Sequence, residues 1–263
     1  MKLNIVPAKL GLQWVKLGIK TFLKQPLALA GLFVMFFAAM SVLSLLPLIG
    51  GLMALVLLPA STLGLMAATK EASKGKFPMP TILITAFRTS QQQIKAMLIL
   101  GAVYALGFLL IMGVSTLFDG GKFARLALMG GTLTRETVME PDFQSAAWAS
   151  LGLNIPLSML FWHAPALVHW YGVAPMKSLF FSFVACIRNF GSYALFSLGW
   201  IGVFMGLVFA VTAVTTLTGG PTAASAAMFP TILLIGAMFF TSIYFTFEST
   251  FQLDDKTPSG NTP

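Results

Sequence analysis

The chain has 263 residues, of which 57% are hydrophobic and only 9% are charged, and its formal net charge is +8. Because a soluble domain has about 25% charged residues, this composition excludes an ordinary soluble globular protein. Four windows without Asp, Glu, Lys or Arg, at 27–69, 97–118, 143–176 and 189–247, are long enough for spanning helices of about 20 residues each. The sequence therefore predicts an all-α, polytopic transmembrane helical bundle.

The first predicted element is an amphipathic helix in KLGLQWVKLGIKTFLKQP, residues 9–26. At about 100° per residue, five polar side chains fall on one stripe of this helix and apolar side chains fall on the rest. The five are Lys9, Gln13, Lys16, Lys20 and Lys24. Because the segment is too charged to span a bilayer, we expect it to lie in the membrane interface with its lysines toward lipid headgroups.

Six spans are predicted next, near 27–47, 51–69, 97–117, 147–172, 191–216 and 230–248. A turn around Pro47 and Gly50 separates the first pair, and the Gly- and Pro-rich stretch TGGPTAASAAMFP at 218–230 separates the last pair. A single re-entrant hairpin over 27–69 is an alternative, although two crossings fit its length better. Residues 1–248 are thus one membrane domain, and 249–263 are expected to be a short disordered tail.

The basic residues predict the orientation of the bundle. Thirteen of the sixteen lie in the N-terminal segment, in the connections at 70–95 and 177–188 and in the tail, which are all on one side of a six-span protein. The other side has only Lys122, Arg125 and Arg135, together with four acidic residues. By the positive-inside rule, both termini are expected to be cytoplasmic.

A threefold repeat of interface helix, span and span is also predicted. The second copy, in TILITAFRTSQQQIKA at 81–96, has polar residues at the spacing of the first, namely Thr81, Thr85, Arg88 and Gln92. The third copy, in KSLFFSFVACIRN at 177–189, repeats only an eleven-residue separation, between Lys177 and Arg188. Three such helices would form a basic collar on the cytoplasmic face. The last two could run directly into spans three and five, since no Pro or Gly lies between Arg88 and Lys95. The alternative is that the orientation rule alone accounts for these basic residues.

Span four contains the polar residues of greatest interest, because polar groups inside a membrane are costly and mark function. His163, in the middle of the predicted span, and Asn154 lie there with Pro156 and Pro165, which can kink a spanning helix and open a cavity. Asn154 and His163 are therefore candidates for lining a cavity, although a hydrogen-bonded His163 inside the bundle is the more ordinary interpretation.

The metalloprotease, hydrolase and phosphate-loop motifs are absent from the sequence, so no catalytic residue, cofactor or metal ligand is predicted.

The basic segments provide the candidate residues for binding lipid headgroups. These are Lys9, Lys16, Lys20, Lys24, Arg88, Lys95, Lys177 and Arg188. Because the basic residues flank spans, membrane lipids with anionic headgroups are the expected partners rather than nucleic acid, with a second copy or another membrane protein as a further possibility. The expected function is non-enzymatic, through lipid or protein interaction at a basic cytoplasmic face. The alternative is a transporter or channel for a small apolar or zwitterionic solute, with its site along span four.

Three stretches of the sequence resemble an uncharacterised family of six-span inner-membrane proteins from proteobacteria. They are WVKLGIKTFLKQPLALAGLF, LGLMAATKEASKGKFPMP, and FWHAPALVHW together with PMKSLFFSFVACIRN. The resemblance covers essentially the whole chain, and it implies an integral protein of the bacterial inner membrane. It implies no activity and no catalytic residue.

Overall fold

The computed structural model describes residues 2–46 and 49–252 of the chain. Helices make up nearly all of it, which confirms the all-α prediction, and a two-stranded antiparallel sheet joins the two ends. In chain order the elements are β1 (Lys2–Leu3), α1 (Leu10–Lys24), α2 (Pro26–Ser44), α3 (Gly50–Ser73), a 3-10 helix (Pro80–Phe87), α4 (Gln91–Asp119), α5 (Lys122–Met129), α6 (Arg135–Met139), α7 (Pro141–Phe161), α8 (Ala164–Tyr171), α9 (Pro175–Arg188), α10 (Phe190–Thr250) and β2 (Phe251–Gln252).

Six helical stretches of the described residues are long and apolar enough to cross a membrane, which confirms the predicted number of spans. They are Pro26–Ser44, Gly50–Ser73, Gln91–Asp119, Pro141–Tyr171, Phe190–Gly220 and Thr222–Thr250. Even the shortest, with 19 residues, extends about 28 Å at ~1.5 Å per residue, close to the ~30 Å of hydrocarbon. The first two are therefore each long enough to cross alone, which favours two crossings over a re-entrant hairpin. The predicted turn residue Pro47 lies outside the described residues.

The turn between the last two spans is shorter than the sequence predicts. The helical dihedral angles of α10 are interrupted at Gly220, with φ 74° and ψ −174°, a left-handed conformation that favours glycine. Residues 222–230 are helical, although the whole of 218–230 was predicted to be a turn. The Ala-rich sequence AASAAM explains the difference, because alanine has the highest helix propensity and outweighs the flanking Gly and Pro residues.

The two ends of the chain meet at one face of the bundle. Lys2 pairs with Gln252 and Leu3 with Phe251, and the Asn4 backbone N–H donates to the Thr250 carbonyl at 2.9 Å. With six spans, both ends necessarily lie on the same side, and we call this side, with residues 2–24, 74–96, 172–189 and 250–252, the terminal face. The predicted tail overlaps this structure, since helix and strand continue to residue 252, and 253–263 lie outside the described residues.

Helix α1 packs against the end of α10 at the terminal face. The second half of α10 has 29 residues, so it is about 43 Å long and extends beyond ~30 Å of hydrocarbon. Gly11 lies against the backbone of Ser192, and Gly18 lies against Ser242, so α1 contacts both halves of α10. The Trp14 indole Nε1 donates to Ser249 Oγ at 2.8 Å. The predicted helix at 9–24 is therefore formed and firmly attached to the last two spans.

The second segment of the predicted repeat is divided, with only its last part continuous with span three, and the third segment is separate from span five. The continuous helix expected from Thr81 to Lys95 is wrong, because a 3-10 helix ends at Phe87 and α4 begins only at Gln91. Ser90 starts this new helix by accepting a hydrogen bond from the Gln93 backbone N–H at 3.3 Å, which is typical N-capping. In the third segment, α9 ends at Arg188 and Asn189 separates it from α10. At the first of these breaks a capping side chain, Ser90, begins the new helix without a Pro or Gly.

The orientation can be tested with reporter fusions. A reporter joined after Lys76 lies on the terminal face, and one joined after Arg135 lies in α6 on the opposite face. We expect the first to report a cytoplasmic location and the second a periplasmic one, because of the basic bias of the terminal face. The same location for both fusions would contradict the six-span topology.

The docking of α1 can be tested at Gly11. A Cβ atom added there would lie 2.0 Å from the Ser192 carbonyl oxygen and 2.7 Å from the Phe196 nitrogen, both of them backbone atoms that cannot rotate away. We expect Gly11→Ala to lower the free energy of unfolding by about 1–3 kcal/mol, as overpacking does, measured by thermal denaturation in detergent. Gly31→Ala is the matched control, because a Cβ in that part of α2 meets nothing within 4 Å. An equal loss of stability in both variants would contradict the close docking.

Candidate functional site

The lysines of α1 form an exposed row on a helix whose other face is buried. Lys9, Lys16, Lys20 and Lys24 are all exposed to solvent or lipid. On the opposite face, Trp14 is 1%, Val15 5% and Phe22 2% exposed. Since the buried face is fixed to α10, the position of the charged row relative to the bundle is fixed as well.

Exposed leucines border this row of lysines on both sides. Leu12, Leu17 and Leu23 are 43%, 42% and 63% exposed. At about 100° per residue, Leu12 and Leu23 lie on one flank of the lysine stripe and Leu17 lies on the other. The outer surface of α1 is thus basic along its centre and apolar along both edges.

The other four candidate basic residues are also exposed at the terminal face, but on different elements. Arg88 follows the 3-10 helix and Lys95 lies in the second turn of α4. Lys177 lies in the first turn of α9, and Arg188 is its last residue. The structure therefore places all eight candidates on one face of the bundle, distributed over four parts of the chain.

His163 lies at a break in span four, close to the terminal face rather than in mid-span. It is completely buried, and its Nε2 is 2.5 Å from the hydroxyl oxygen of Tyr193. Its ring packs at 5.2 Å, centroid to centroid, from Phe251 of β2 and at 5.8 Å from Phe247. This position differs from the predicted one because α7 ends at Phe161 and α8 forms a separate helix near the end of the span.

The break itself is made by a side chain from α9. In an unbroken helix the His163 N–H would donate to the Met159 carbonyl, four residues earlier. Instead, it donates to Ser182 Oγ at 2.9 Å, and Ser182 Oγ donates to the Met159 carbonyl at 2.8 Å. The Ser182 hydroxyl thus bridges the His163 N–H and the Met159 carbonyl and satisfies both backbone groups. Two residues further on, Pro165 has no N–H to donate, so a second backbone hydrogen bond is missing there and the helix stays open.

Asn154 is separate from this arrangement. It is half-buried in α7, and its side-chain Nδ2 donates to the Ser150 carbonyl one turn earlier, at 3.0 Å. This local bond is one that a polar side chain commonly makes to its own helix in a membrane. Asn154 and His163 are therefore both on span four, as predicted, but the hydrogen bonds of the described residues do not join them.

Two large cavities open at opposite ends of the bundle. One, of about 560 Å³, lies at the terminal face between the start of α4 and the connection from α8 to α9. The other, of about 930 Å³, is largely apolar and lies between the α2–α3 turn, α4 and α5. Neither Asn154 nor His163 lines either of them. The residues that line the first include Lys95, one of the predicted lipid-binding residues.

Cys186 in α9 is buried beside the break in span four. Its Sγ is 3.7 Å from the Met159 carbonyl, and burial raises the pKa of its thiol to about 12. At neutral pH the thiol is therefore protonated, and it packs as a small side chain instead of reacting.

Comparison with known proteins places the chain in a family. It is 35% identical over 258 residues to a probable inner membrane protein of Burkholderia thailandensis, and the match covers 97% of this chain and 96% of that protein. The chain belongs to the same family of inner membrane proteins. This confirms the resemblance expected from the sequence. No family model and no solved structure matches the chain.

In this inner-membrane protein, the sequence pattern did not reveal the polar residues that hold the interior together. Asn189 is buried, accepts from the Val6 N–H at 2.8 Å and donates to the Asn4 carbonyl at 3.1 Å, so it ties the N-terminal segment to the α9–α10 junction. Its position directly after the predicted third amphipathic helix was a signal for a helix end, because Asn is common where helices end. Ser182 and Tyr193 gave no such signal, since their partners are about 20 to 30 residues away in sequence.

The bridging role of Ser182 can be tested against a serine one turn away. Ser182→Ala leaves a buried N–H at His163 and a buried carbonyl at Met159 unpaired, and we expect it to cost about 1–3 kcal/mol of stability. Ser178→Ala is the matched control, because Ser178 is also buried in α9 but donates only to the local Pro175 carbonyl, at 2.7 Å. The measurement is thermal denaturation in detergent, and equal midpoints for the two variants would contradict the bridge.

Proposed function

We propose that this inner membrane protein acts without catalysis, by holding anionic lipid headgroups at its terminal face, and that this face is cytoplasmic. The observation behind the proposal is the outer surface of α1, where four exposed lysines lie between exposed leucines. A helix in contact with water gains nothing from such leucines. In the membrane interface, the same leucines enter the lipid while the lysines meet the phosphates.

The distribution of charge supports the choice of anionic lipid. The sequence places thirteen of sixteen basic residues on the side of the terminal face. Lys122, on the other face, is paired with Glu140 at 2.5 Å. Each unpaired basic side chain near an anionic surface contributes about 1 kcal/mol of attraction. The terminal face therefore has the sign and the number of charges that attract a negatively charged leaflet.

We further propose that the three repeated segments act together as a basic collar. Their helices, α1, the 3-10 helix with the start of α4, and α9, all belong to the terminal face. Only the second segment is divided, into the 3-10 helix and the start of α4. Such a face would contact many headgroups at once, which suits recruitment of lipid or of a membrane partner, including a second copy, better than binding of a small soluble ligand.

The central test removes the lysines of α1. Replacing Lys9, Lys16, Lys20 and Lys24 together by Gln should weaken binding of anionic lipid by roughly 10³-fold if their contributions of about 1 kcal/mol each are additive. The affinity for phosphatidylglycerol relative to phosphatidylcholine is measured in nanodiscs by quenching of Trp fluorescence with brominated lipids. High salt should reproduce the effect in the unaltered protein, because the Debye length becomes shorter.

The control removes equal charge from the opposite face. Arg125→Gln with Arg135→Gln is compared with Lys16→Gln with Lys20→Gln, and only the second pair should reduce the preference for anionic lipid. Transport is the competing function. A purified protein that moves a solute across liposomes, loses that flux with His163→Ala or Asn154→Ala and is indifferent to the lysine changes would overturn the proposal.

A further inference from the structure

The 560 Å³ cavity at the terminal face has a polar end and an apolar end. Its polar lining comes from the first turns of α4 and includes Ser90, Gln92, Gln93 and Lys95. Its apolar lining includes Ile99 of α4 and Val168 of α8. Cavities of about 300–1,000 Å³ are the size that binds small organic molecules. This one is suited to a molecule that is itself polar at one end and apolar at the other.

The polar and apolar ends are separated along the membrane normal. The uncharged run of α4 begins at Ala96, directly after Lys95, so the hydrocarbon boundary falls near this point. Ile99 follows Lys95 by one turn, which places it about 6 Å further along the helix and on the same side. A molecule that fills the cavity would therefore have its polar group at the level of the headgroups and its apolar part in the hydrocarbon.

The polar end favours an anion. Lys95 is exposed and positively charged, Gln92 and Gln93 have amide groups that can donate hydrogen bonds, and no acidic residue is among the described residues that line the cavity. The first turn of α4, through Gln92, and the start of α9, through Pro175, line it as well, and the start of a helix has a partial positive charge. The Gln93 side chain also donates to the His169 carbonyl at 3.3 Å, which fixes one wall to α8.

We propose that this cavity binds one anionic phospholipid molecule. Its phosphate lies between Lys95 and Gln92, and one acyl chain follows Ile99 and Val168 into the hydrocarbon. The site is distinct from the lysine stripe of α1, which attracts many lipids through charge alone. The inference deepens the proposed lipid-binding function of the terminal face by adding a single, shaped site to it.

The experiment is native mass spectrometry of the purified full-length protein with phosphatidylglycerol. It counts the lipid molecules that stay bound as the collision energy that strips the detergent is increased. We expect one copy to persist longest in the unaltered protein. Lys95→Gln should weaken its binding about fivefold or more, the effect of one favourable charge contact. Ala174→Trp should also displace it, because Ala174 lines the cavity and is exposed, so a large neutral side chain fills the space.

Two control variants separate this site from general charge. Lys76→Gln removes the same charge from an exposed position on the terminal face that does not line the cavity, and it should leave the persistent copy bound. The variant with all four α1 lysines replaced by Gln should also keep this copy bound, while it loses the loosely bound lipids. If the α1 variant loses the loosely bound lipids but Lys95→Gln has no effect on the persistent copy, the proposed function is supported and the single site is overturned.

A photoreactive phosphatidylglycerol with its reactive group near the top of an acyl chain tests the site without any mutation. Crosslinks are expected in peptides that contain 91–99 and 168–176, and crosslinks found only elsewhere would overturn the proposal. Glycerol phosphate, which has the phosphate but no acyl chains, should not displace the persistent lipid even in excess. Displacement by glycerol phosphate would show a site for a soluble phosphate compound and would overturn the assignment to a lipid.

Discussion

The structure depends on one constraint, that a backbone inside a membrane must satisfy its own hydrogen bonds. Six long helices meet this requirement along most of their length. Difficulty arises where a helix stops next to the protein interior, and there a side chain replaces the missing backbone partner. Ser182 does so at the break in span four and Ser90 at the start of α4, and Asn189 at the α9–α10 junction does so for the backbone of residues 4 and 6.

These substitutions of side chain for backbone are all found toward the terminal face. The break at His163 separates α8 from α7, and α8 then helps to enclose the cavity beside the start of α4. Asn189 fixes the N-terminal segment, so that α1 emerges beside the ends of the last two spans. The same polar residues that interrupt the helices therefore create the surfaces that we propose for lipid. At the other end of the bundle, side chains cap the loop helices α5 and α6, where Asp119 accepts from the Phe123 N–H and Thr134 from the Thr137 N–H.

The contrast between α1 and His163 shows how charge and burial divide the molecule. The lysines of α1 lie on the outer surface of the terminal face, exposed and away from the protein interior. His163 is completely enclosed by the bundle: its ring contacts Tyr193 and two phenylalanine rings, and its backbone N–H donates to Ser182. Its arrangement is that of a group that stabilises a helix break. An exposed basic surface and an interior that is fixed by hydrogen bonds are thus consistent with the proposal that the protein works through its exterior.

Sequence alone determined the membrane class, the six spans and the unequal distribution of charge, because each depends on the local density of apolar or basic residues. It also located the helix at Lys9–Lys24 and the exposed lysine row, since a period of 3.6 residues is a local property. Only the tertiary structure decided where α4 begins, that Ser182 opens span four, and that Asn189 ties residues 4–6 to α9. It also decided that Lys95 lies beside a cavity formed by three helices. These features depend on partners far apart in sequence, whose meeting is set by packing and not by any local pattern.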